Sequence, residues 1–240
     1  MIKTIVHHLG LGDHIMLNGM VRHFAETEIV NIIVKRCHEE SVRFMYRDIP
    51  DKVKLILVDT TNPQEIWSKV HSTGGDILPL ATYGMHEDNW KFMTEGPGKE
   101  MTNWAHGVYI QAGVNPMYMY TKFKVDRDKS KEFKLDYDSY IFIHDKDNKI
   151  NIDTDKHIFR PGNTTFDRSN IFDYLSAIEN ADEFHGMNSS YAWLVELMRI
   201  GSSKTNFFHL DIAYQGYVPK SVQTIFSDDM WTFIHNSSPQ

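Results

Sequence analysis

The sequence predicts an α/β protein made of two similar halves, each a mostly parallel sheet flanked by helices. Three observations predict it. Short β-type apolar runs alternate with stretches of helical spacing along most of the chain. The first such run ends in a glycine turn, Gly10-Leu11-Gly12, that leads straight into a helical pattern. The same alternation starts again after a charge run near residue 126, so residues 1–125 and 126–240 read as two Rossmann-like domains.

The first strand is Ile2, Ile5 and Val6, closed by His7 and His8. Asp13 caps the helix that carries Ile15, Met16, Met20, Val21 and Phe24. Ile29 to Val34 is a second strand, followed by a helix through Ser41–Tyr46 that Pro50 stops. Val53–Val58 is a third strand. Asn62-Pro63 opens a helix with the stripe Ile66, Trp67 and Val70, ended by Gly74-Gly75. Asp76–Leu80 starts a fourth strand. From Tyr83 to Pro116 the pattern breaks at Gly84, Gly96, Pro97 and Gly98, while Trp90, Phe92, Trp104, Tyr109 and Ile110 supply large apolar anchors. Asn103–Ala112 is helical, Met117–Phe123 alternates as a strand or extended linker, and Asp126–Glu132 is a solvated charged connection.

In the second half Tyr140–His144 and Lys156–Arg160 are strands. Asn170 caps a helix through Ile171, Phe172, Leu175 and Ile178. Glu183–Met187 is a strand, Tyr191–Ile200 a helix stopped by Gly201, and Asn206–Leu210 the final strand. Val222–Trp231 reads as helical and Ser237–Gln240 as a disordered tail.

Composition narrows the function. With 41% hydrophobic and 24% charged residues the chain is an ordinary globular protein, and a formal charge of -7 argues against a nucleic-acid binder. Cys37 is the single cysteine, so neither an internal disulfide nor a thiolate zinc site is expected. The thirteen histidines form no H-x-x-x-H or H-E-x-x-H pair on a helix, and no metal site is expected from them. No apolar run approaches the ~20 residues of a membrane span, and the start lacks a secretory apolar core. A cytoplasmic protein is expected.

Ligands of such sheets collect at the carboxyl ends of strands. In the first half this places Gly10, Gly12, Asp13 and His14 at the site, with His7 and His8 as further polar groups. In the second half, Phe184-His185-Gly186-Met187-Asn188-Ser189-Ser190 runs from a strand into small polar residues at a helix start. Backbone N–H groups there suit a phosphate, although Asn188 or Ser189 also reads as a plain helix cap. His144 and Arg160 end neighbouring strands on the same edge and join the substrate-binding set, and Lys146 and Lys149 follow His144. Lys146, Lys149 and Arg160 are suited to neutralising a diphosphate, Arg with two-pronged geometry. Asp173 and Glu179 lie on the preceding helix, where a carboxylate near its beginning is suited either to reaching a ribose or to facing solvent. Asp145-Lys146-Asp147 has D-x-D spacing but follows a strand of the second half, so it is read as coincidental.

Gly10, Gly12 and Asp13 after the first strand, the block Ile171-Phe172-Asp173-Tyr174 through Ile178-Glu179-Asn180-Ala181, and then Phe184-His185 and Ser189-Ser190 resemble GT-B glycosyltransferases. The likeness is to heptosyltransferase-like and fucosyltransferase-like proteins. The resemblance implies two domains facing across a cleft, the second holding a nucleotide-diphosphate sugar as co-substrate and the first a hydroxyl acceptor such as a glycan or lipid-linked sugar. It implies no resident cofactor and no metal. Asp13 matches the aspartate that serves there as general base, His14 stands beside it, and Ser189, Ser190 and the cations steady the leaving diphosphate. The chain departs from G-x-G-x-x-G at Ile15, which makes dinucleotide binding less expected. The alternatives are a Rossmann-type oxidoreductase and a non-catalytic nucleotide- or carbohydrate-binding module.

Overall fold

The computed structural model of the protein describes residues 1–7, 9–59, 62–80, 104–145, 148–162, 170–210, 226 and 229–235. The expectations for His8, for the breaks and aromatic anchors between 83 and 103, for Lys146 and Asp147, for most of 222–231 and for Ser237–Gln240 lie outside the described residues. The chain divides into two units, Met1–Asp126 and Arg127–Gln240.

Unit 1 is built on strands β1 (Ile2–Val6), β2 (Ile29–Lys35), β3 (Val53–Val58) and β4 (Asp76–Pro79), all parallel in the order β3-β2-β1-β4. Parallel neighbours need crossovers, and helices supply them. They are α1 (Leu11–Met16), α2 (Asn18–Ala25), α3 (Glu39–Met45) and α4 (Pro63–Ser72). Asn62 caps α4 by accepting the Gln64 N–H. One core cluster joins Val6, Leu9, Ile33 and Val58 of the sheet side to Ile66 and Val70 of α4.

The single helix expected after the glycine turn is two. Between Met16 and Met20 the hydroxyl of Tyr109, from α5 (Trp104–Gln111), enters the helical ladder. It donates to Met16 O at 2.9 Å and takes the Met20 N–H at 3.1 Å. A polar side chain inserted in this way separates α1 from α2. Residues 118–121, expected to be extended, form a short helix α6 (Tyr118–Thr121). It lies directly on Gly19 of α2, where a Cβ would stand 1.9 Å from Tyr118 O.

Unit 2 has β5 (Tyr140–His144), β6 (His157–Phe159), β7 (Glu183–Gly186), β8 (Asn206–His209) and β9 (Thr232–Ile234), parallel in the order β6-β5-β7-β8-β9. The strand β9 is one more than the sequence pattern gives, which ends its strands at Leu210; it begins just past the stretch 222–231 that reads as helical. Because side chains alternate along a strand, Phe142, Phe184 and Phe208 share one face and Ile141 and Ile143 the other. The first face packs as an aromatic core, with Phe142 5.6 Å from Phe184 and 5.7 Å from Tyr191. Ile150 joins Ile141 and Ile143 on the second. The helix expected after Asn170 begins as a 3-10 turn, Ile171–Tyr174, before α7 (Leu175–Glu179). The helix α8 (Ser190–Met198) follows β7.

The charge run of 126–132 is more than a solvated connection. Arg127 grips Glu132 at 2.6–2.7 Å and also pairs with Glu179, while Ser176 donates to Glu132 at 2.6 Å. Burial opposes ionisation of Glu132, but Arg127 and Ser176 outweigh it and hold its pKa below the usual range. Glu179, at the end of α7, is thus an ion-pair partner of Arg127.

Candidate functional site

Each unit brings polar side chains together where its strand order reverses, the place at which open parallel sheets hold ligands. In unit 1 that point lies between β1 and β4. Beyond β1 the chain turns through Leu9, a buried leucine with φ 64°, and Gly10 stands at the helix N-cap. Asp13 is not the capping residue itself but the third of α1. Its Oδ2 accepts the Gly10 N–H at 3.2 Å, so the carboxylate folds back over the turn. A Cβ on Gly10 would stand 2.7 Å from that oxygen, which is why a glycine fits here. Gly12 lies in the first turn of α1.

His7 and His14 are 2% and 1% exposed and meet edge to face, His7 Nε2 lying 3.1 Å from His14 Nδ1. The Leu9 N–H donates to His7 Nδ1 at 3.1 Å. Burial, then the neighbouring His7, His38 and Lys35, hold the pKa of His14 well below the ordinary value. Its Nε2 is buried and has no hydrogen-bond partner among the described residues. An unmet buried donor or acceptor costs about 1–3 kcal/mol, so the position calls for an explanation.

In unit 2 the order reverses between β5 and β7, and their carboxyl ends carry His144 and the segment Asn188-Ser189-Ser190. Ser189 is the N-cap of α8, its Oγ accepting the Ala192 N–H at 3.4 Å. The same hydroxyl lies 3.0 Å from His144 Nδ1. The cap and the strand end are therefore one hydrogen-bonded unit, and the Tyr191 ring covers His144 at 4.3 Å. Burial lowers the pKa of His144 to about 4 against an opposing effect of Asp145, so the ring is neutral near pH 7. Ser190 opens the helix, whose first N–H groups lack intrahelical acceptors. Asn188 is exposed just before it.

The cations are arranged differently. Arg160 donates to Ile150 O at 2.5 Å, and its Nε stands 3.4 Å from Asp145 Oδ1, an ion-pair distance without hydrogen-bond geometry. Asp145 in turn accepts the Ile150 N–H at 2.6 Å. These contacts tie the largely buried Arg160 to Asp145 and Ile150. Lys149 is exposed on that loop, and Lys146 lies outside the described residues.

Sequence reasoning missed a second chain of polar groups. Glu183 Oε2 lies 3.0 Å from His185 Nε2, and His185 Nδ1 3.0 Å from His209 Nε2. The spacing of Glu183 and His185 puts both on one face of a strand, but only the β7–β8 register brings His209 to them. Among the described residues no three His, Cys, Asp or Glu side chains converge as a metal ion requires. No helix among them is long and apolar enough to cross a membrane.

No protein-family model and no curated protein matches the sequence. Solved structures do. One is a glycosyl transferase family 9 protein from Veillonella parvula, at TM-score 0.58 and 10% identity over all of this chain and 88% of that one. A second is the iron-containing dodecameric glycosyltransferase TibC from enterotoxigenic E. coli, at TM-score 0.55 and 11% identity over all of this chain and 63% of that one. A third is the heptosyltransferase TibC in complex with ADP-D-beta-D-heptose, at TM-score 0.54 and 11% identity over 99% and 63% of the two chains. The chain thus spans less than two thirds of the length of TibC, and at these identities the likeness is one of fold. That fold is the GT-B type of these glycosyltransferases, two Rossmann-like α/β units each built on a parallel sheet.

Proposed function

We propose that the protein is a glycosyltransferase that moves a sugar from a nucleotide-diphosphate donor to a hydroxyl acceptor. The observation that carries the reading is the His144–Ser189 pair at the start of α8, set at the strand reversal of unit 2 in a chain with this fold. A neutral histidine and a serine bonded to each other present a proton outward whichever holds it: His144 Nε2–H when Ser189 donates, or the Ser189 O–H when His144 donates. With the N–H groups and positive end of the helix they favour a diphosphate and steady it as it departs. That TibC is described with ADP-heptose supports a nucleotide-diphosphate sugar as the donor class.

Unit 1 presents the acceptor. Asp13 takes the proton of the attacking hydroxyl as its oxygen bonds to the anomeric carbon and the bond to the diphosphate breaks. Asn188, Ser190, Lys149 and Arg160 line the diphosphate side in this reading, with Lys146 added on sequence grounds. Gly10 and Gly12 keep the acceptor turn narrow. The reaction runs without a resident cofactor or a metal: the iron named for TibC belongs to that protein, and no step here passes through an ion. A cytoplasmic location, where nucleotide sugars are made, suits the reading.

Thermal melts with ADP, UDP, GDP, CMP and NAD(H) test it. A nucleoside diphosphate at about a hundredfold its Kd stabilises the native state by about 2.7 kcal/mol, a shift of several degrees. A diphosphate is expected to give this shift and NAD(H) none. Asp13→Ala is expected to lower nucleotide-sugar turnover at least about a hundredfold while keeping the diphosphate shift. A response to NAD(H) alone would favour an oxidoreductase, and binding without turnover a non-catalytic module.

A further inference from the structure

The turn after β1 fixes the protons on two buried rings. A backbone N–H only donates, so the Leu9 N–H, 3.1 Å from His7 Nδ1, requires a lone pair on that nitrogen. His7 therefore carries its proton on Nε2 and donates it to His14 Nδ1, 3.1 Å away. His14 is held neutral by burial first, with His7, His38 and Lys35 at the end of β2 acting in the same direction. With Nδ1 accepting, its single proton stands on Nε2. That N–H is buried and meets no acceptor among the described residues.

The local backbone is bent to make this chain. Leu9 adopts φ 64°, a left-handed conformation that a leucine rarely takes, and its side chain is held there by the core cluster of Val6, Ile33, Val58, Ile66 and Val70. Strain of this kind persists only where the surroundings impose it, and it gathers at ligand-binding turns.

We propose that His14 contacts the acceptor substrate, its Nε2–H donating to a substrate oxygen at the carboxyl end of β1, and that His7 is the positioning residue that keeps the proton there. The inference rests on the reading of unit 1 as the acceptor side. It gives His14 a different task from Asp13. A ring with Nδ1 engaged and Nε2 protonated has no lone pair left for a hydroxyl proton, so Asp13 is the base and His14 the donor that orients. The position selects a hydroxyl, ether or carbonyl oxygen and disfavours an amine or ammonium, which would set donor against donor.

The test uses the full chain labelled with [15N]histidine and saturated with whichever of ADP, UDP or GDP raises its Tm. It is titrated with methyl glycosides of the common hexoses and followed by long-range 1H–15N correlation. Both rings are expected as Nε2–H tautomers at the start, and a glycoside that binds should move the His14 Nε2–H signal. His14→Phe should weaken that glycoside at least about tenfold, the size expected for one lost hydrogen bond to a buried donor. His14→Gln, which offers an amide N–H nearby, should recover most of the affinity. His7→Phe should weaken the glycoside without touching it, and the nucleotide-induced Tm rise should persist in all three variants. If His14→Phe does not fold, the parent spectra and His14→Gln decide. The proposal is overturned by an Nδ1–H tautomer on His14, by a bound glycoside that leaves its signal unmoved, by His14→Phe binding as tightly as the parent, or by no glycoside binding while the nucleotide still raises Tm. Loss of the nucleotide response in the parent overturns the glycosyltransferase reading itself.

Discussion

Asp13 and Gly10 show how closely one side chain and one missing side chain are tied. The Asp13 carboxylate accepts the Gly10 N–H, and the space it needs is the space a Cβ at Gly10 would fill. Gly10 has φ -76°, so alanine there meets no backbone strain and only the end of Asp13 has to move. Gly10→Ala is therefore expected to cost no more than about 1 kcal/mol in urea unfolding, a lost cap interaction. Its nucleotide-sugar turnover should nevertheless fall toward that of Asp13→Ala. Full activity would mean that the folded-back position of the carboxylate is irrelevant to catalysis. The residues of this turn are legible in the sequence because a strand, two glycines and a carboxylate lie within a few positions. The His7–His14 contact is not, since it depends on the left-handed Leu9 that swings one ring onto the other.

Helices α2 and α8 show what an element takes from its neighbours. Gly19 lets the backbone of α6 rest on α2, and no rotamer change makes room for a methyl 1.9 Å from Tyr118 O. Gly19→Ala is expected to destabilise the protein by about 1–3 kcal/mol, the usual size of overpacking, despite alanine's better helix propensity. A rise in Tm would show that the two helices separate easily. At α8, Ser189→Ala removes the cap of Ala192 N–H and the partner of His144 together. The expected loss is about 1 kcal/mol in unfolding experiments. A smaller nucleotide-induced Tm shift should accompany it, and an unchanged shift would take Ser189 out of the diphosphate site. The strand-to-helix pattern at 183–198 is readable from spacing and capping residues. Its coupling to His144, forty-five positions earlier, is set by the β5–β7 register.

At the scale of the whole molecule, buried neutral histidines govern how the fold meets acid. Burial lowers the pKa of His14, His144 and His185 in the folded state. Below the unfolded value near 6.5 the unfolded chain takes up protons that the folded chain refuses, so stability falls as pH drops. For His144 the loss continues to its folded pKa of about 4 and reaches on the order of 3 kcal/mol. Arg22 and Lys124 overcome the burial of Asp48 and hold its pKa at about 2, so it adds a further loss only as pH falls below the usual carboxylate range. Thermal melts between pH 7.5 and 4.5 should show a falling Tm, with a shallower slope in His144→Gln; equal slopes would rule His144 out as a source. The alternation of apolar runs and helical spacing determines two α/β units with parallel sheets, because burying both faces of such strands leaves a pattern in local composition. The splitting of the first helix by Tyr109, the burial of Glu132 against Arg127 in what reads as a solvated charge run, and the strand at 232–234 were decided only in the tertiary structure. So was the contact between His7 and His14. Each depends on a partner supplied by chain folding or on a backbone angle, and single-residue chemistry along the sequence encodes neither.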